Sequence, residues 1–325
     1  MAHLDVNYLG LKLRNPLIVS SSGLTSTLRK LRSVEEAGAG AVVLKSVFEE
    51  QILSETTHLE GYNAYPEAGD YLRVYLQDDY LGKYIALIGE AKKELSIPVI
   101  ASISCVSTGQ WIDYARRIEQ AGADALELNI FLLPTDREEP AAAIELRYLE
   151  IVGEVVSAVK IPVSVKLGSR FTNLLHTVNG IDHQGAKGVV MFNRFYEPDI
   201  NIDSLQIVES DIFSSSSELR NSIRWIAMAS AQFPQLDIAA STGVHSGADA
   251  LKVLLAGAAA AEICSTVYQH GLGVIGEILG FMEQWMQNQK FATVGEFRGR
   301  LNYSGVSSPV AFERAQFMKY FQGHE

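Results

Sequence analysis

Eight short apolar segments alternate with longer segments of helical periodicity along this chain. The strand-length segments are rich in Val, Ile and Ala and cover residues 17–21, 41–44, 98–102, 124–130, 162–167, 188–192, 238–244 and 260–266. The helical segments follow at residues 25–37, 80–95, 109–121, 141–159, 173–185, 217–233, 245–257 and 271–289. Continuous apolar strands separated by helices are typical of a parallel sheet covered by helices.

Eight such units predict an α/β fold, a single (β/α)8 TIM barrel that spans residues 1–325 as one domain. No Gly-x-Gly-x-x-Gly motif follows the terminal strands, which makes a doubly wound dinucleotide-binding fold the weaker alternative. Two insertions at the C-terminal mouth interrupt the alternation of strands and helices: a long loop at 47–78 and an excursion at 194–215. Alternating isoleucines predict that the excursion forms a hairpin over the mouth. Asn179-Gly180 predicts an interruption of the helix at 173–185, and Ser246 is a candidate cap for the helix that follows it.

Composition excludes several classes of protein. The formal net charge is −11 and no run of Lys or Arg occurs, so we expect no nucleic-acid partner. No apolar segment is long enough for a membrane span, and the N-terminus lacks the pattern of a signal peptide. Cys105 and Cys264 cannot alone supply a zinc or iron–sulfur site, and both are expected to be buried free thiols. These observations predict a cytoplasmic protein without a metal.

The predicted strand ends carry the candidate functional residues, because function in such barrels gathers at the C-terminal ends of strands. They provide hydroxyls, amides and two lysines, without a carboxylate pair or a His/Asp metal cluster. The set comprises Ser21, Ser22, Gly23, Lys45, Ser46, Ser102, Asn129, Lys166, Asn193, Ser241, Thr242, Gly243, Ser265 and Thr266.

The last two strands end in Ser-Thr-Gly and Ser-Thr. Loops after the last two strands of such barrels frequently bind phosphate through backbone N–H groups. Thr242, Gly243, Ser265 and Thr266 therefore predict a phosphate cradle, with ordinary turn chemistry as the alternative.

Lys45 and Lys166 each close an apolar strand, which is compatible with simple exposure to solvent. Two lysines at one mouth favour an anion instead, because a buried unpaired ammonium group is costly. Lys166 is also a candidate Schiff-base lysine. Asn129 and Asn193 predict contacts with an amide or carboxylate ligand, with Asx turns as the alternative.

In their order and spacing these motifs resemble the dihydroorotate dehydrogenase family, soluble class, over nearly the whole chain. The matching stretches are Asn15-Pro16-Leu-Ile-Val-Ser-Ser-Ser-Gly23, Lys45-Ser46, Ser102-Ile-Ser104, Glu127-Leu-Asn129, Pro162-Val-Ser-Val-Lys166-Leu, Asn193, Ser241-Thr-Gly243 with Gly247, Asp249 and Ala250, Gly257-Ala258 and Ser265-Thr266. The resemblance implies an FMN-dependent dehydrogenase that oxidises dihydroorotate to orotate in pyrimidine biosynthesis. It also implies a homodimer and a small-molecule substrate, dihydroorotate or a related cyclic amide.

The resemblance implies a role for each motif residue. Ser21, Ser22 and Gly23 would line the edge of the flavin ring, and the phosphate would bind at the backbone of Thr242-Gly243 and Ser265-Thr266. The same resemblance implies that Lys45 contacts flavin and substrate and that Ser46 contacts flavin. Lys166 would contact the flavin N1/C2 carbonyl and ribityl chain. The substrate ring would be held by Asn63, Asn129 and Asn193. Lys166 would stabilise the anionic reduced flavin.

One loop departs from the family pattern. The family carries a cysteine or serine base shortly after the strand-four asparagine, whereas that position falls here on Leu132 or Leu133. Neither leucine can accept a proton, and Thr135, the nearest hydroxyl, would be a weak base. The loop after Asn193 also departs from the family's small, polar sequence. Three alternatives therefore stay open: a flavoenzyme with a different substrate, an aldolase-like lyase that uses Lys166, and a barrel that only binds a ligand.

Overall fold

A closed parallel barrel forms the body of the molecule. The computed structural model describes residues 2–48, 81–105, 111–194 and 197–313. The eight barrel strands are β1 (Leu17–Val19), β2 (Ala41–Val43), β3 (Val99–Cys105), β4 (Ala125–Ile130), β5 (Val163–Leu167), β6 (Gly188–Met191), β7 (Asp237–Ala240) and β8 (Ala260–Ile263). Each strand pairs in parallel with the next, and β8 pairs with β1, which closes the sheet. The predicted (β/α)8 TIM barrel is confirmed.

Helices cover the barrel at nearly the predicted positions. They are α1 (Leu28–Glu36), α2 (residues 81–94), α3 (Trp111–Gln120), α4 (Ala141–Ala158), α5 (Leu174–His183), α6 (Leu219–Gln232), α7 (Gly247–Ala256), α8 (Ser265–His270) and α9 (Gly273–Gln289). Three short 3₁₀ helices lie at Gly23–Thr25, Val294–Glu296 and Pro309–Phe312. Ser246 caps α7, as predicted, and accepts a hydrogen bond from the Asp249 N–H. Among the helices that the structure describes, none is long and apolar enough to cross a membrane.

An N-terminal hairpin that sequence analysis missed plugs the bottom of the barrel. Strand Val6–Tyr8 pairs antiparallel with Leu11–Leu13. Tyr8 and Leu9 are 1% and 4% exposed and pack against inward-facing side chains such as Ile18. The Leu9 N–H donates to Asp237 at the start of β7 over 2.8 Å. The plug closes the N-terminal end and leaves the opposite mouth for a site.

Two sequence expectations about helices and strands were wrong. Helix α5 continues unbroken through Asn179-Gly180. Glycine is favoured there by close packing, because a Cβ at Gly180 would lie 2.7 Å from Leu149 Cδ2 on α4. Ser265-Thr266 does not end strand β8 but begins α8, two residues after the strand has ended.

The two insertions differ in how much of them the structure describes. Val47–Phe48 forms a two-residue strand beside β3, whereas 49–78 of the predicted long loop lie outside the described residues. The predicted hairpin of the excursion is present as Pro198–Asn201 and Gln206–Glu209. Ile200 lies opposite Ile207 in this pair, and both side chains are largely exposed. The hairpin thus carries exposed apolar side chains.

Candidate functional site

A polar pocket lies at the C-terminal mouth between the ends of β1, β5, β6, β7 and β8. Its walls combine hydroxyls, a lysine and a carboxylate, and are formed by Ser20, Ser21, Lys166, Asn193, Arg194, Ile212, Ser214, Ser241, Thr242, Gly243, Val244, Glu262, Cys264 and Ser265. Seven of these are residues that the sequence placed at strand ends. The topology therefore brings distant parts of the chain together as expected for a barrel site.

A chain of three hydroxyl groups joins the segments that follow β1 and β2 to the middle of β3, because β3 continues beyond Ser102, its predicted end, to Cys105. The Ser46 N–H donates to Ser21 Oγ at 2.9 Å, and the hydroxyls of Ser21 and Ser46 are also 2.9 Å apart. Ser46 Oγ lies 2.7 Å from Ser102 Oγ. The first turn of the adjacent loop is held by Ser22, whose hydroxyl accepts from the Leu24 N–H. These bonds fix the predicted flavin-edge loop without any ligand.

The two candidate substrate amides contact each other directly. Asn193 Nδ2 donates to Asn129 Oδ1 at 2.9 Å, and both residues are half-buried. A carboxamide has two donors and two acceptor lone pairs, so this pair retains hydrogen-bonding capacity beyond the one bond. Lys45 is exposed at the end of β2. Asn63 lies outside the described residues.

The backbone of the predicted phosphate cradle is left-handed at two consecutive residues. Thr242 and Gly243 adopt φ of 69° and 86°, and the Thr242 hydroxyl is bonded to the Phe192 carbonyl at 2.9 Å. A Cβ at Gly243 would lie 2.6 Å from the Leu219 nitrogen, so only glycine fits. Thr266 is fully buried, and its hydroxyl donates to the His245 carbonyl at 3.4 Å.

Ser214 of the excursion lies over this cradle, and sequence analysis did not identify it. The Gly243 N–H donates to Ser214 Oγ at 3.3 Å, and the Ser214 N–H donates to Ser265 Oγ at 3.1 Å. His245 Nε2 is 3.0 Å from Ser214 Oγ. Burial lowers the pKa of His245, which keeps the imidazole neutral near neutral pH. The Ser214 hydroxyl thus accepts a hydrogen bond from one backbone N–H of the cradle, that of Gly243.

A buried cluster of three ionisable groups forms the floor of the pocket. Lys166 Nζ lies 2.6 Å from Glu262 Oε2, 2.9 Å from Ser20 Oγ and 3.6 Å from Glu127 Oε1. Ser20 Oγ also donates to Glu262 Oε2 at 2.9 Å. Lys166, Glu127 and Glu262 are 6%, 1% and 2% exposed. Each comes from the inward face of a different strand, β5, β4 and β8.

Mutual interactions decide the charges of this cluster. Burial would lower the pKa of Lys166, but the carboxylates of Glu127 and Glu262 outweigh burial and raise it. Burial and the neighbouring charge of Glu262 raise the pKa of Glu127 well above its usual range. For Glu262 the Lys166 ammonium outweighs burial and lowers the carboxyl pKa. The cluster therefore favours the charged forms of Lys166 and Glu262 and the protonated form of Glu127.

Sequence analysis did not identify Glu262 and Ser20 as parts of the site, and Glu127 entered it only as part of a family motif. A signal was present, because Ala260-Ala-Glu-Ile263 places a lone acid inside an otherwise apolar strand. A carboxylate buried in that way requires a partner. Lys166 is that partner.

The loop after β4 carries a leucine at the position of the family's base. Leu132 is partly buried against the core, and its N–H donates to the Tyr148 hydroxyl at 3.4 Å. Leu133 is 64% exposed. Thr135 is exposed, and among the described residues no hydrogen bond joins its side chain to Asn129.

Cys264 differs from its expected setting. The thiol is free and only partly buried, and Cys264 lines the pocket just after β8 ends. Burial raises its pKa, although Ser22 and Lys166 oppose this. The thiol is thereby kept uncharged at neutral pH. The Cys105 side chain lies outside the described part of the structure.

The residues of the pocket fit a phosphorylated flavin. Two consecutive residues with left-handed backbone beside hydroxyl groups suit a phosphate, and a buried ammonium with surrounding hydroxyls suits a polar heterocycle. Within the described ranges, no group of three or more His, Cys, Asp or Glu side chains could hold a metal ion. The chemistry of the donors thus points to an organic anion.

Comparisons with known proteins identify the family of the chain. The family model described as dihydroorotate dehydrogenase matches residues 3–286. A dihydroorotate dehydrogenase B (NAD(+)) catalytic subunit from Thermoplasma volcanium is 26% identical over 310 residues, covering 92% of this chain and 98% of that protein. Its namesake from Pyrococcus abyssi is 28% identical over 317 residues, covering 91% and 98%. The NAD-dependent dihydropyrimidine dehydrogenase subunit PreA from Escherichia coli is 23% identical over 326 residues, covering 92% and 77%.

Proposed function

Because this chain belongs to the dihydroorotate dehydrogenase family and is therefore a flavin-dependent dehydrogenase, we propose that it binds FMN and oxidises dihydroorotate to orotate. The observation that carries the proposal is the position of Lys166, buried and charged at the floor of a pocket that the cradle flanks. Bound FMN would supply two-electron chemistry by accepting hydride from the substrate.

The residues of this chain would bind and orient the two molecules. The backbone at Thr242-Gly243 and Ser265-Thr266 would hold the phosphate, and Ser21, Ser22, Gly23 and Ser46 would line the ring edge. Lys45 would approach both flavin and substrate, while the Asn129–Asn193 pair would hold a planar cyclic amide. Asn63 on the long loop remains a proposed third amide.

The charge of Lys166 argues against the lyase alternative. A Schiff-base lysine needs a neutral amine, which enzymes obtain by lowering the lysine pKa. Here the two glutamates raise the pKa of Lys166 and keep it protonated. The cluster therefore supports an electrostatic role for this lysine.

A second candidate function is the same flavin chemistry on another cyclic amide. The position of the base falls on Leu132 or Leu133, and Thr135 is exposed, so removal of a proton from dihydroorotate has no acceptor at that position. The Escherichia coli relative carries a dihydropyrimidine dehydrogenase name, which makes dihydropyrimidines the first alternative substrates.

Anaerobic reduction of the purified protein tests both candidates. We expect a yellow protein with FMN absorbance that dihydroorotate bleaches, more slowly than in a relative with a cysteine or serine base. Bleaching by dihydrouracil but not by dihydroorotate would replace the first substrate with the second. A protein that cannot be reconstituted with FMN would contradict the flavin proposal itself.

Replacement of Thr135 by alanine tests the remaining hydroxyl of the loop. If Thr135 accepts the proton, Thr135→Ala slows bleaching by about 10²-fold or more, as expected for loss of general base catalysis. Thr293→Ala, at an exposed threonine that does not line the pocket, serves as the matched hydroxyl control. An unchanged rate for Thr135→Ala would assign the proton to another acceptor.

The partners of the enzyme follow from the same family. Two relatives are named as NAD(+)-linked catalytic subunits, so NAD(+) is the first electron acceptor to test, through a second subunit. We propose a homodimer, supported by the exposed apolar hairpin of the excursion. The cytoplasmic location stays a prediction from the sequence.

A further inference from the structure

We propose that Glu127 and Glu262 share one negative charge that neutralises Lys166, and that this neutral cluster keeps the reduction potential of the bound flavin lower than an unpaired lysine would. The inference rests on the proposed FMN site. It adds two positioning residues that act on the flavin through Lys166.

Carboxyl and hydroxyl oxygens surround the Lys166 ammonium within the barrel. Nζ donates to Glu262 Oε2 at 2.6 Å and to Ser20 Oγ at 2.9 Å. Glu127 Oε1 lies at ion-pair distance, 3.6 Å from Nζ. A ligand in the pocket above therefore faces an ion pair, and not a free cation.

The two carboxyl groups cannot both be ionised in this arrangement. Both approach the same ammonium nitrogen, at 2.6 and 3.6 Å, and the charge of Glu262 raises the pKa of Glu127. Both are almost completely buried, and one oxygen of each has no hydrogen-bond partner in the structure. Two negative charges at this distance inside a protein are strongly unfavourable. One proton and one negative charge therefore remain between Glu127 and Glu262.

The other groups facing the cluster do not supply a compensating charge. Tyr8 approaches from the plugging hairpin, and burial together with the two glutamates raises its pKa, so it stays neutral. Cys264, on the pocket side, is neutral because burial raises its pKa. The charge balance is thus set by Lys166 and the two glutamates, and it sums to zero.

The neutral charge of the cluster of Lys166, Glu127 and Glu262 affects the reduction potential of bound FMN. Reduction makes a flavin more negative, and an unpaired ammonium nearby would favour that form. With Lys166 already paired, the reduced flavin gains less stabilisation and its potential stays lower. Either glutamate can serve as the counter-ion, because Glu127 lies only 1.0 Å farther from Nζ than Glu262 does (3.6 against 2.6 Å).

Three variants separate this model from a simple structural role. Glu127→Gln, Glu262→Gln and the double variant are loaded with FMN, and the midpoint potential and the affinity for sulfite are measured. Sulfite is an anion that binds oxidised flavins reversibly, so it reports positive charge at the ring. Glu209→Gln, on the exposed hairpin, removes an equal charge far from the pocket and is the matched control.

We expect strongly non-additive results. Each single variant keeps one carboxylate beside Lys166, so its sulfite affinity stays within about threefold of the wild type. The double variant exposes the ammonium and binds sulfite at least about tenfold tighter, with a potential at least about 30 mV more positive, the tenfold equivalent for two electrons. The inference would be overturned if the double variant had the wild-type midpoint potential. It would also be overturned if each single variant showed the full change in sulfite affinity and midpoint potential.

A second measurement covers the case in which the double variant does not fold. Carbon-13 NMR of the wild-type protein labelled at glutamate carboxyls should show one protonated buried carboxyl near pH 7, assigned with the single variants. Two ionised carboxyls would overturn the proposal. The NMR test needs no flavin, so a protein that fails to bind FMN contradicts the proposed function and still leaves this inference testable.

Discussion

Asp249 shows how a single side chain fastens the edge of the cradle. Its Oδ2 accepts hydrogen bonds from the hydroxyls of Ser246 and Ser216 at 2.8 and 3.0 Å, and its Oδ1 lies 3.0 Å from Lys252 Nζ. The same carboxylate accepts from the His245 N–H. Asp249 therefore joins the first turn of α7 to the end of the excursion, beside the residues that would bind phosphate.

Replacement of Asp249 by asparagine should destabilise the protein in a pH-dependent way. Burial would raise the pKa of Asp249, but hydrogen bonds from Lys252, Ser246 and Ser216 outweigh burial and lower it. A lowered folded-state pKa contributes stability that is present above the unfolded value of about 3.9 and lost as the pH falls through the folded value. We expect Asp249→Asn to lose about 1–3 kcal/mol of unfolding free energy at pH 7. Urea unfolding measures this loss.

The same experiment repeated at low pH checks the cause. Below about pH 4 the difference between wild type and Asp249→Asn should shrink, because the wild-type carboxylate becomes protonated as well. Asp203→Asn, on the exposed hairpin turn, is the control and should change stability little at either pH. A difference that is the same at pH 7 and pH 3 would show that packing, and not charge, is responsible.

At the scale of elements, the junction that starts β1 and β2 depends on one glycine. The Gly40 N–H donates to the Leu17 carbonyl at 2.7 Å, and Asn15 Nδ2 donates to the Gly38 carbonyl at 2.8 Å. A Cβ at Gly40 would lie 2.1 Å from the backbone oxygen of Asn15. Backbone atoms cannot move aside as a side chain can, so the strands would have to separate.

Gly40→Ala should therefore be severely destabilising. We expect a loss of more than about 3 kcal/mol, at the upper end of single-substitution effects, seen as a lower midpoint of thermal or urea unfolding. Gly82→Ala is the matched control, because Gly82 lies in helix α2 with nothing within 4 Å of a new Cβ. That variant should be neutral or more stable by about 0.5–1 kcal/mol. Equal losses in both variants would contradict the packing explanation.

Local patterns in the sequence predicted the barrel strands, but not the N-terminal hairpin. The buried strands are continuous apolar runs, so composition alone reveals them, and Ser246 followed by Asp249 is a recognisable helix start. The strands Val6–Tyr8 and Leu11–Leu13 have three residues each, too short to show a period. The turn between them places Leu9 at a φ of 56°, which no residue type in the sequence signals.

The candidate site was predictable only where topology alone decides position. Residues at strand ends must meet at the mouth, which is why Ser21, Lys166 and Gly243 were found together. The pairing of Lys166 with Glu262 joins residues 96 positions apart and depends on the register of strands around the barrel. Ser214 reaches the cradle through an irregular excursion whose path no sequence pattern specifies.

At the scale of the whole molecule, the excursion hairpin presents more apolar surface than a solitary arm normally does. Ile202, Leu205 and Ile212 are 80%, 86% and 69% exposed, beside the cross-strand pair of Ile200 and Ile207. A two-stranded hairpin is marginally stable by itself in water, and large exposed apolar patches mark interaction surfaces. A second copy of the chain would offer the same arm, so two hairpins can pack through identical faces about a twofold axis.

Substitution of Ile200 and Ile207 by threonine tests whether this arm forms the homodimer. Threonine keeps the β-branched shape that strands favour, so the hairpin should persist while its apolar surface is reduced. We expect the wild type to sediment as a dimer and the double variant to shift towards a monomer at low micromolar concentration, with FMN content unchanged. Leu146→Thr, at an exposed apolar position on α4, should leave the dimer intact. A dimer that survives the hairpin substitutions would place the interface on another face of the barrel, and the arm would then require a different partner.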